Sequence, residues 1–348
     1  MSIRSEWFTV YNAKVPPSPP RILVTGGAGY IGSNTTLQLL DAGYDVVVVD
    51  NLARGHREAV DPARLRVLDL LDTQGLVAVM NEKPCQAVIH FAAFIAVGES
   101  MKVPEIYFHN NVAGSLSLLT AMLKAGIRNI VFSSTAAVYG MPAHVPISET
   151  EPSAPVNAYG ESKVMVETLL HWFDRIHHLR SVCLRYFNAS GADPLGRAGE
   201  DHEPETHLIP LLFQAIKTGS PITLFGNDYP TPDGTCIRDY IHVTDLARAH
   251  IAAVEWLVKG GESKKYNVGT GQGYSVNEVL QAVEEVTGKK VPFEFGPRRE
   301  GDPPQLVADS ARLQNELNWK PVHSDLKEIV KTAWAWWDRF PTCPSAVP

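Results

Sequence analysis

The residues best equipped for chemistry in this chain are Tyr159 and Lys163, in the run Tyr159-Gly160-Glu161-Ser162-Lys163. If this segment opens a helix, the two side chains project from one face a single turn apart. A free tyrosine has a pKa of about 10, and bringing it to about 7 means stabilising the phenolate by roughly 4 kcal/mol. A lysine ammonium in a dry site supplies part of that, and a second fixed positive charge beside the ring would supply the rest. Upstream lies Phe132-Ser133-Ser134-Thr135-Ala136-Ala137-Val138-Tyr139-Gly140, an apolar strand that runs into small hydroxyl residues. In an open α/β sheet such residues stand at the carboxyl edge of the strands, where ligands bind.

A source for the second positive charge is written near the start of the chain. Gly26-Gly27-Ala28-Gly29-Tyr30-Ile31-Gly32 follows an apolar run and opens a helical pattern, with Gly26, Gly29 and Gly32 spaced three apart. Glycines there permit a tight turn and close backbone approach, while the helix N-terminus offers free N–H groups to a pyrophosphate. The next strand pattern ends at Asp50, about 20 residues further on, where a carboxylate accepts hydrogen bonds from an adenosine ribose. A carboxylate at that place favours NAD over NADP, although Arg54 and Arg57 lie close enough to matter. The oxidised nicotinamide would complete the cationic surroundings of Tyr159.

These residues need a scaffold, and the sequence supplies one. Short β-branched runs at residues 21–25, 45–49, 64–68, 86–91, 129–133 and 181–187 alternate with helical patterns at 30–42, 73–81, 104–125 and 158–178. That alternation predicts an α/β fold with a doubly wound parallel sheet of the Rossmann kind, followed by a smaller mixed α/β substrate-binding domain. Residues 1–20, with their Pro16-Pro17-Ser18-Pro19-Pro20 run, read as a flexible extension and not as a signal peptide. Residues 21–188 read as the dinucleotide-binding unit, with later segments returning to it, residues 189–340 as mainly substrate-binding, and residues 341–348 as a tail.

Composition narrows the function classes. A net charge of -7 on 348 residues, 45% hydrophobic and 20% charged, is ordinary for a soluble globular chain and argues against nucleic acid or anionic membrane as partner. No apolar run approaches the roughly 20 residues that cross a bilayer. The four cysteines, Cys85, Cys183, Cys236 and Cys343, are far apart, which points to a reducing cytoplasm.

From about residue 21 to the C-terminal helix the chain resembles the UDP-glucose/UDP-galactose 4-epimerases of the extended short-chain dehydrogenase/reductase superfamily. The resemblance is carried by residues 25–33, by His90-Phe91-Ala92-Ala93 with Val97-Gly98-Glu99-Ser100, and by the Tyr159 to Lys163 run. It continues through Leu184-Arg185-Tyr186-Phe187-Asn188, Phe225-Gly226-Asn227-Asp228-Tyr229-Pro230-Thr231, Arg238-Asp239-Tyr240-Ile241-His242 and Arg298-Arg299-Glu300-Gly301-Asp302. It implies reversible inversion of carbon 4 of a UDP-hexose through a 4-keto intermediate, with tightly bound NAD, in galactose metabolism.

Residue by residue, the resemblance makes Tyr159 the acid/base, Lys163 its electrostatic partner and holder of the nicotinamide ribose, and Thr135 the hydroxyl on the reacting oxygen. Gly26, Gly29, Tyr30, Ile31, Gly32, Asp50, Asn51, Asp69, Leu70, Phe91, Ala92, Ala93, Asn110, Ser133 and Phe187 fall at cofactor-contact positions. Asn188, His207, Leu208, Phe225, Arg238, Arg299 and Asp302 fall where UDP and the hexose are held, and there arginines suit a diphosphate and an aromatic suits uracil. The helices over 104–125 and 158–178 correspond to a dimer's helix bundle, so a homodimer is implied.

The chain departs from the pattern at a few places. Thr135 replaces a common serine, Ile95 stands where some relatives have lysine, and Leu306 falls at a position that bears on acceptance of N-acetylated sugars. UDP-N-acetylhexosamines and UDP-pentoses therefore stay open as alternative substrates. A nucleotide-sugar 4,6-dehydratase needs an Asp-Glu pair after the hydroxyl residue, where this chain has Ala136-Ala137, and a non-catalytic NAD sensor would not need Tyr159 and Lys163. The segment His202-Glu203-Pro204-Glu205-Thr206-His207 lacks the spacing of a helical zinc pair and contains a proline, so no metal is expected.

Overall fold

The computed structural model describes residues 19–299 and 301–339. Apart from Pro19 and Pro20, the expected extension lies outside the described residues, as do Glu300, the tail 341–348 and with it Cys343.

The apolar runs become strands, most of them buried on both faces as parallel strands between helices are, with the edge strand β3 partly exposed at Val67. They are β1 (Arg21–Thr25), β2 (Asp45–Asp50), β3 (Leu65–Val67), β4 (Ala87–His90), β5 (Asn129–Thr135) and β6 (Arg180–Tyr186). β7 (Asn188–Ser190), β8 (Ile222–Phe225) and β9 (Ile237–His242) leave this layer, and β10 (Lys264–Val268) returns to it. The resulting sheet is parallel throughout, in the order β10-β6-β5-β4-β1-β2-β3.

Helices cover both faces. α1 (Tyr30–Asp41) and α2 (Thr73–Asn81) follow β1 and β3, while α3 (Val97–Ser100) and α4 (Pro104–Tyr107) lead through a π-helical turn, Phe108–Ala113, into α5 (Gly114–Ala125). α6 (Ala158–His177) precedes β6, and after α7 (Leu208–Thr218) the long α8 (Val243–Val258) packs beside α1 on the large sheet. One core, built from Val24, Val48, Ile89 and Leu246 among others, fills the α1 and α8 face; a second, around Leu23, Val88, Leu118 and Val166, fills the α5 and α6 face.

The smaller part has its own core. Helix α9 (Val276–Thr287) and helix α11 (Leu326–Arg339) pack with α7 around Phe213, Val279 and Ile329, while α10 (Ala311–Leu317) leans on β10. β11 (Gly273–Ser275), β13 (Gln305–Leu306) and β7 all pair with β9, and β12 (Phe293–Gly296) pairs with β8. The segments read from sequence as mainly substrate-binding thus include α8 and β10, which belong structurally to the large sheet.

The expected helix over residues 104–125 forms along its whole length but carries a π-helical turn, where the Asn111 side chain accepts from Phe94 N at 2.8 Å and donates to Phe94 O and Ser162 Oγ, each at 3.0 Å. Ser115 Oγ takes the Asn111 carbonyl in turn. The three bonds tie the loop after β4 to α6, and a helix with one extra residue in its turn is the backbone form that lets them all be made.

Candidate active site

At the carboxyl ends of the parallel strands lies a cavity of about 1660 Å³. Every residue assigned from the sequence to catalysis, cofactor or substrate lines it, from Gly26 to Asp302.

Tyr159 is placed by the start of α6. Asn157 caps that helix by accepting from Gly160 N at 2.8 Å, and Ser100 Oγ accepts from Tyr159 N at 3.2 Å, so the phenol is fixed in the first turn. Thr135 ends β5 and caps the short turn Ala136–Tyr139, its hydroxyl accepting from Ala137 N at 3.1 Å. Burial pushes the Tyr159 phenol up to about 12, opposed by the neighbouring Thr135 hydroxyl. Burial likewise pulls the Lys163 ammonium down to about 7, opposed by Glu167.

Lys163 makes its hydrogen bond to the backbone of β5. Its Nζ donates to Ser133 O at 2.9 Å and sits 5.8 Å from the centre of the Tyr159 ring and 4.9 Å from that of Phe132. In a dry site an ammonium takes the nearest carbonyl, because an unsatisfied buried cation is costly. With burial dominant, the protein's own groups keep the phenol protonated at neutral pH.

Gly26, Gly29, Gly32 and Asp50 line the same cavity. Gly26 has φ +71, and a Cβ there would lie 2.5 Å from Ala92 N, so β1 turns within contact of the loop after β4. At Gly32 a Cβ would come within 2.1 Å of Gly26 O. Gly29 precedes α1 with no side-chain cap and no acidic residue in the first turn, which leaves the helix N–H groups open to an anion. Asp50 is buried, its carboxylate accepting from Ala28 N at 2.9 Å and Leu52 N at 2.8 Å. Arg54, the cation that could have welcomed an extra phosphate, is held by Glu99 at 3.0 Å and by Glu203 O at 3.3 Å. Asn51 donates to Asp69 at 2.8 Å on the same rim.

On the substrate side Arg299 lies over the Phe225 ring, 4.2 Å from its centre. Arg238 is paired with Asp302, so the expected acid and one of the two expected diphosphate donors begin as partners. Asn188 opens β7 and Leu208 opens α7, both facing the cavity. His207 stands at the N-cap position of α7 with no side-chain bond to that helix, and its Nδ1 is engaged by Glu200. Ile95 and Leu306 also line the cavity, and Leu306 packs near Phe187 and Tyr139.

A model of the NAD dependent epimerase/dehydratase family matches residues 22–269. The chain belongs to that family. A UDP-glucose 4-epimerase of Lacticaseibacillus casei is 51% identical over 92% of this chain and 97% of its own length. A UDP-glucose 4-epimerase structure from Brucella ovis, in complex with NAD, superposes with a TM-score of 0.89 at 47% identity, covering 91% of this chain and 98% of that one. Another from Bifidobacterium longum, in complex with NAD+ and UDP, gives 0.87 at 37% identity over 92% and 99%.

Several residues that shape this family member's site went unread in the sequence. Glu167 accepts from Ser134 Oγ at 2.7 Å, pairs bidentately with Arg185 at 2.6 and 2.9 Å, and meets Lys265 at 2.7 Å. Burial works against its charge, but Arg185 and Lys265 hold Glu167 below the usual carboxylate range. It lies one turn beyond Lys163, a spacing that could have found it. Tyr186 bonds the Ser133 hydroxyl and is pushed above its ordinary value by burial.

The Lys163 shift carries a pH signature. Between about 7 and 10.5 the unfolded chain binds a proton that the folded one lacks, so the penalty for burying this lysine is largest at the lower end and vanishes above the upper. Melting temperatures of dinucleotide-free wild type and Lys163→Met, compared across that window, should show wild type gaining on the variant as pH rises. A flat or falling difference would contradict the buried, weakened ammonium.

Proposed function

We propose that this protein interconverts UDP-glucose and UDP-galactose by inverting carbon 4 of the hexose through a 4-keto intermediate, with NAD held tightly throughout. The observation that carries the reading is the convergence of Tyr159, Lys163 and Thr135 at one end of a cavity whose other end is the glycine loop and Asp50. The names of the relatives agree with it.

NAD, when bound, supplies the two-electron oxidation of carbon 4 and its reversal. Tyr159 takes the proton of the 4-hydroxyl and returns it to the same oxygen once the sugar presents its other face. Thr135 holds that oxygen within reach of the phenol. Lys163, anchored on Ser133 O, contributes positive potential and a donor for the nicotinamide ribose. The diphosphate is gripped by Arg238 and Arg299, and uracil lies by Phe225. The buried site excludes water, and no acid follows Thr135 to eliminate it from the sugar, since Ala136 and Ala137 line the cavity there.

A cytoplasmic role in galactose metabolism accompanies this reading. In its support, Cys85, Cys183 and Cys236 are free thiols, and among the described residues no helix is long and apolar enough to cross a membrane. A homodimer through α5 and α6 is the matching assembly, supported by Leu116, Met165, Trp172 and Ile176, all exposed apolar side chains on those two helices.

Tyr159→Phe should lower turnover of UDP-galactose by roughly 10²–10⁴-fold with NAD still bound; near-normal turnover would remove the phenol from the mechanism. Sedimentation equilibrium should give twice the chain mass, and a monomer at micromolar concentration would remove the dimer.

A further inference from the structure

The loop between β7 and α7 gathers two imidazoles and two carboxylates that take no part in the proton transfer assigned to Tyr159. One ligand atom from each of Glu200, His202, Glu205 and His207 lies within 4.8 Å of all the others. The helical zinc spacing absent from this segment is beside the point, because the residues meet through a loop. His202 Nδ1 stands 3.2 Å from Glu200 Oε1 and 3.7 Å from Glu205 Oε2, is sealed from solvent, and is aligned with neither as a hydrogen bond. His207 Nδ1 converges on the same Glu200 oxygen. Two imidazole nitrogens directed at one buried oxygen, with a second carboxylate alongside, is an arrangement in which a single central cation satisfies every group at once.

We propose that Glu200, His202, Glu205 and His207 form a binding site for one divalent cation of the zinc class. The donor set of two imidazoles and two carboxylates suits zinc in preference to magnesium or calcium, which take oxygen ligands. Tetrahedral zinc places its ligands roughly 3.4 Å apart, so small side-chain rotations close the present cluster around an ion. Charge balances as well: a dication with neutral imidazoles and two carboxylates sums to zero, as do two imidazolium ions with the same carboxylates. The ligands are held from outside, since Glu205 Oε1 accepts from Thr206 N at 2.7 Å and His207 N at 2.8 Å, and Trp336 Nε1 donates to Glu200 O at 3.2 Å.

The site's position gives it a purpose. The His202 ring packs edge-on against Tyr30, with centroids 6.0 Å apart, while His207 immediately precedes α7. His56 Nε2 lies 2.9 Å from Asp201 O, beside the same loop. An ion here fastens the loop between the dinucleotide turn and the helix that faces the sugar nucleotide, acting through geometry and not on the reacting atoms. This inference stands on the loop alone and is independent of the reaction assigned to the cavity.

The test uses untagged full-length protein, treated with a chelator, re-equilibrated with zinc chloride and analysed for metal by mass spectrometry. Wild type should retain about one zinc per chain, and cobalt(II) in its place should give the visible absorption of a tetrahedral site. His202→Gln with Glu205→Gln should weaken zinc binding at least tenfold, and zinc should raise the melting temperature of wild type but not of that variant. The proposal is overturned if wild type retains no stoichiometric zinc and its melting is indifferent to it, or if the double variant holds zinc as tightly as wild type.

Discussion

Everything in this active site depends on burial of two groups that prefer water. Tyr159 and Lys163 are enclosed at the carboxyl edge of a parallel sheet, and enclosure pushes each toward its neutral form. A neutral phenol is a poor base, so the protein alone is poised and not yet active. In the proposed mechanism a cationic ring against the phenol would favour its ionised form, so the acid/base capacity of Tyr159 would be conditional on the oxidised cofactor. The same dryness keeps water from the sugar while carbon 4 is a ketone.

Holding such a pair requires stiff supports, and these are distributed over the fold. Asn157 and Ser100 fix the start of α6, the Ser133 carbonyl takes the ammonium, and Asn111 ties α6 to the loop after β4. Behind them the Glu167–Arg185 pair braces Ser134 against β6. Breaking one partner of a buried pair of this kind costs about 3–5 kcal/mol, so this brace is a condition of the fold as much as of the site.

The sequence was most legible where local pattern and chemistry coincide. β1, the glycine turn and Asp50 are short-range features whose spacing reports their geometry, and the strand and helix limits fell within a residue or two of those read. Tyr159 and Lys163 were legible for the same reason, as a helical pair. The π-helical turn was not, because the bonds that demand it join Asn111 to Phe94 and Ser162, distant in the chain. Nor was the contact of Lys163 with Ser133 O, which depends on how dry the finished cavity is. His202, Glu205 and His207 were judged by a helical rule, whereas with Glu200 they meet in a loop that only the folded chain shapes.

The central claim is that bound NAD converts Tyr159 from a buried acid into a usable base. Its most direct test is the tyrosinate absorbance of the NAD-loaded protein, titrated against pH, with the signal of the Tyr159→Phe variant subtracted. The account predicts that the Tyr159 contribution appears well below the ordinary tyrosine value of about 10. A contribution that stays at or above that value with NAD bound would contradict it.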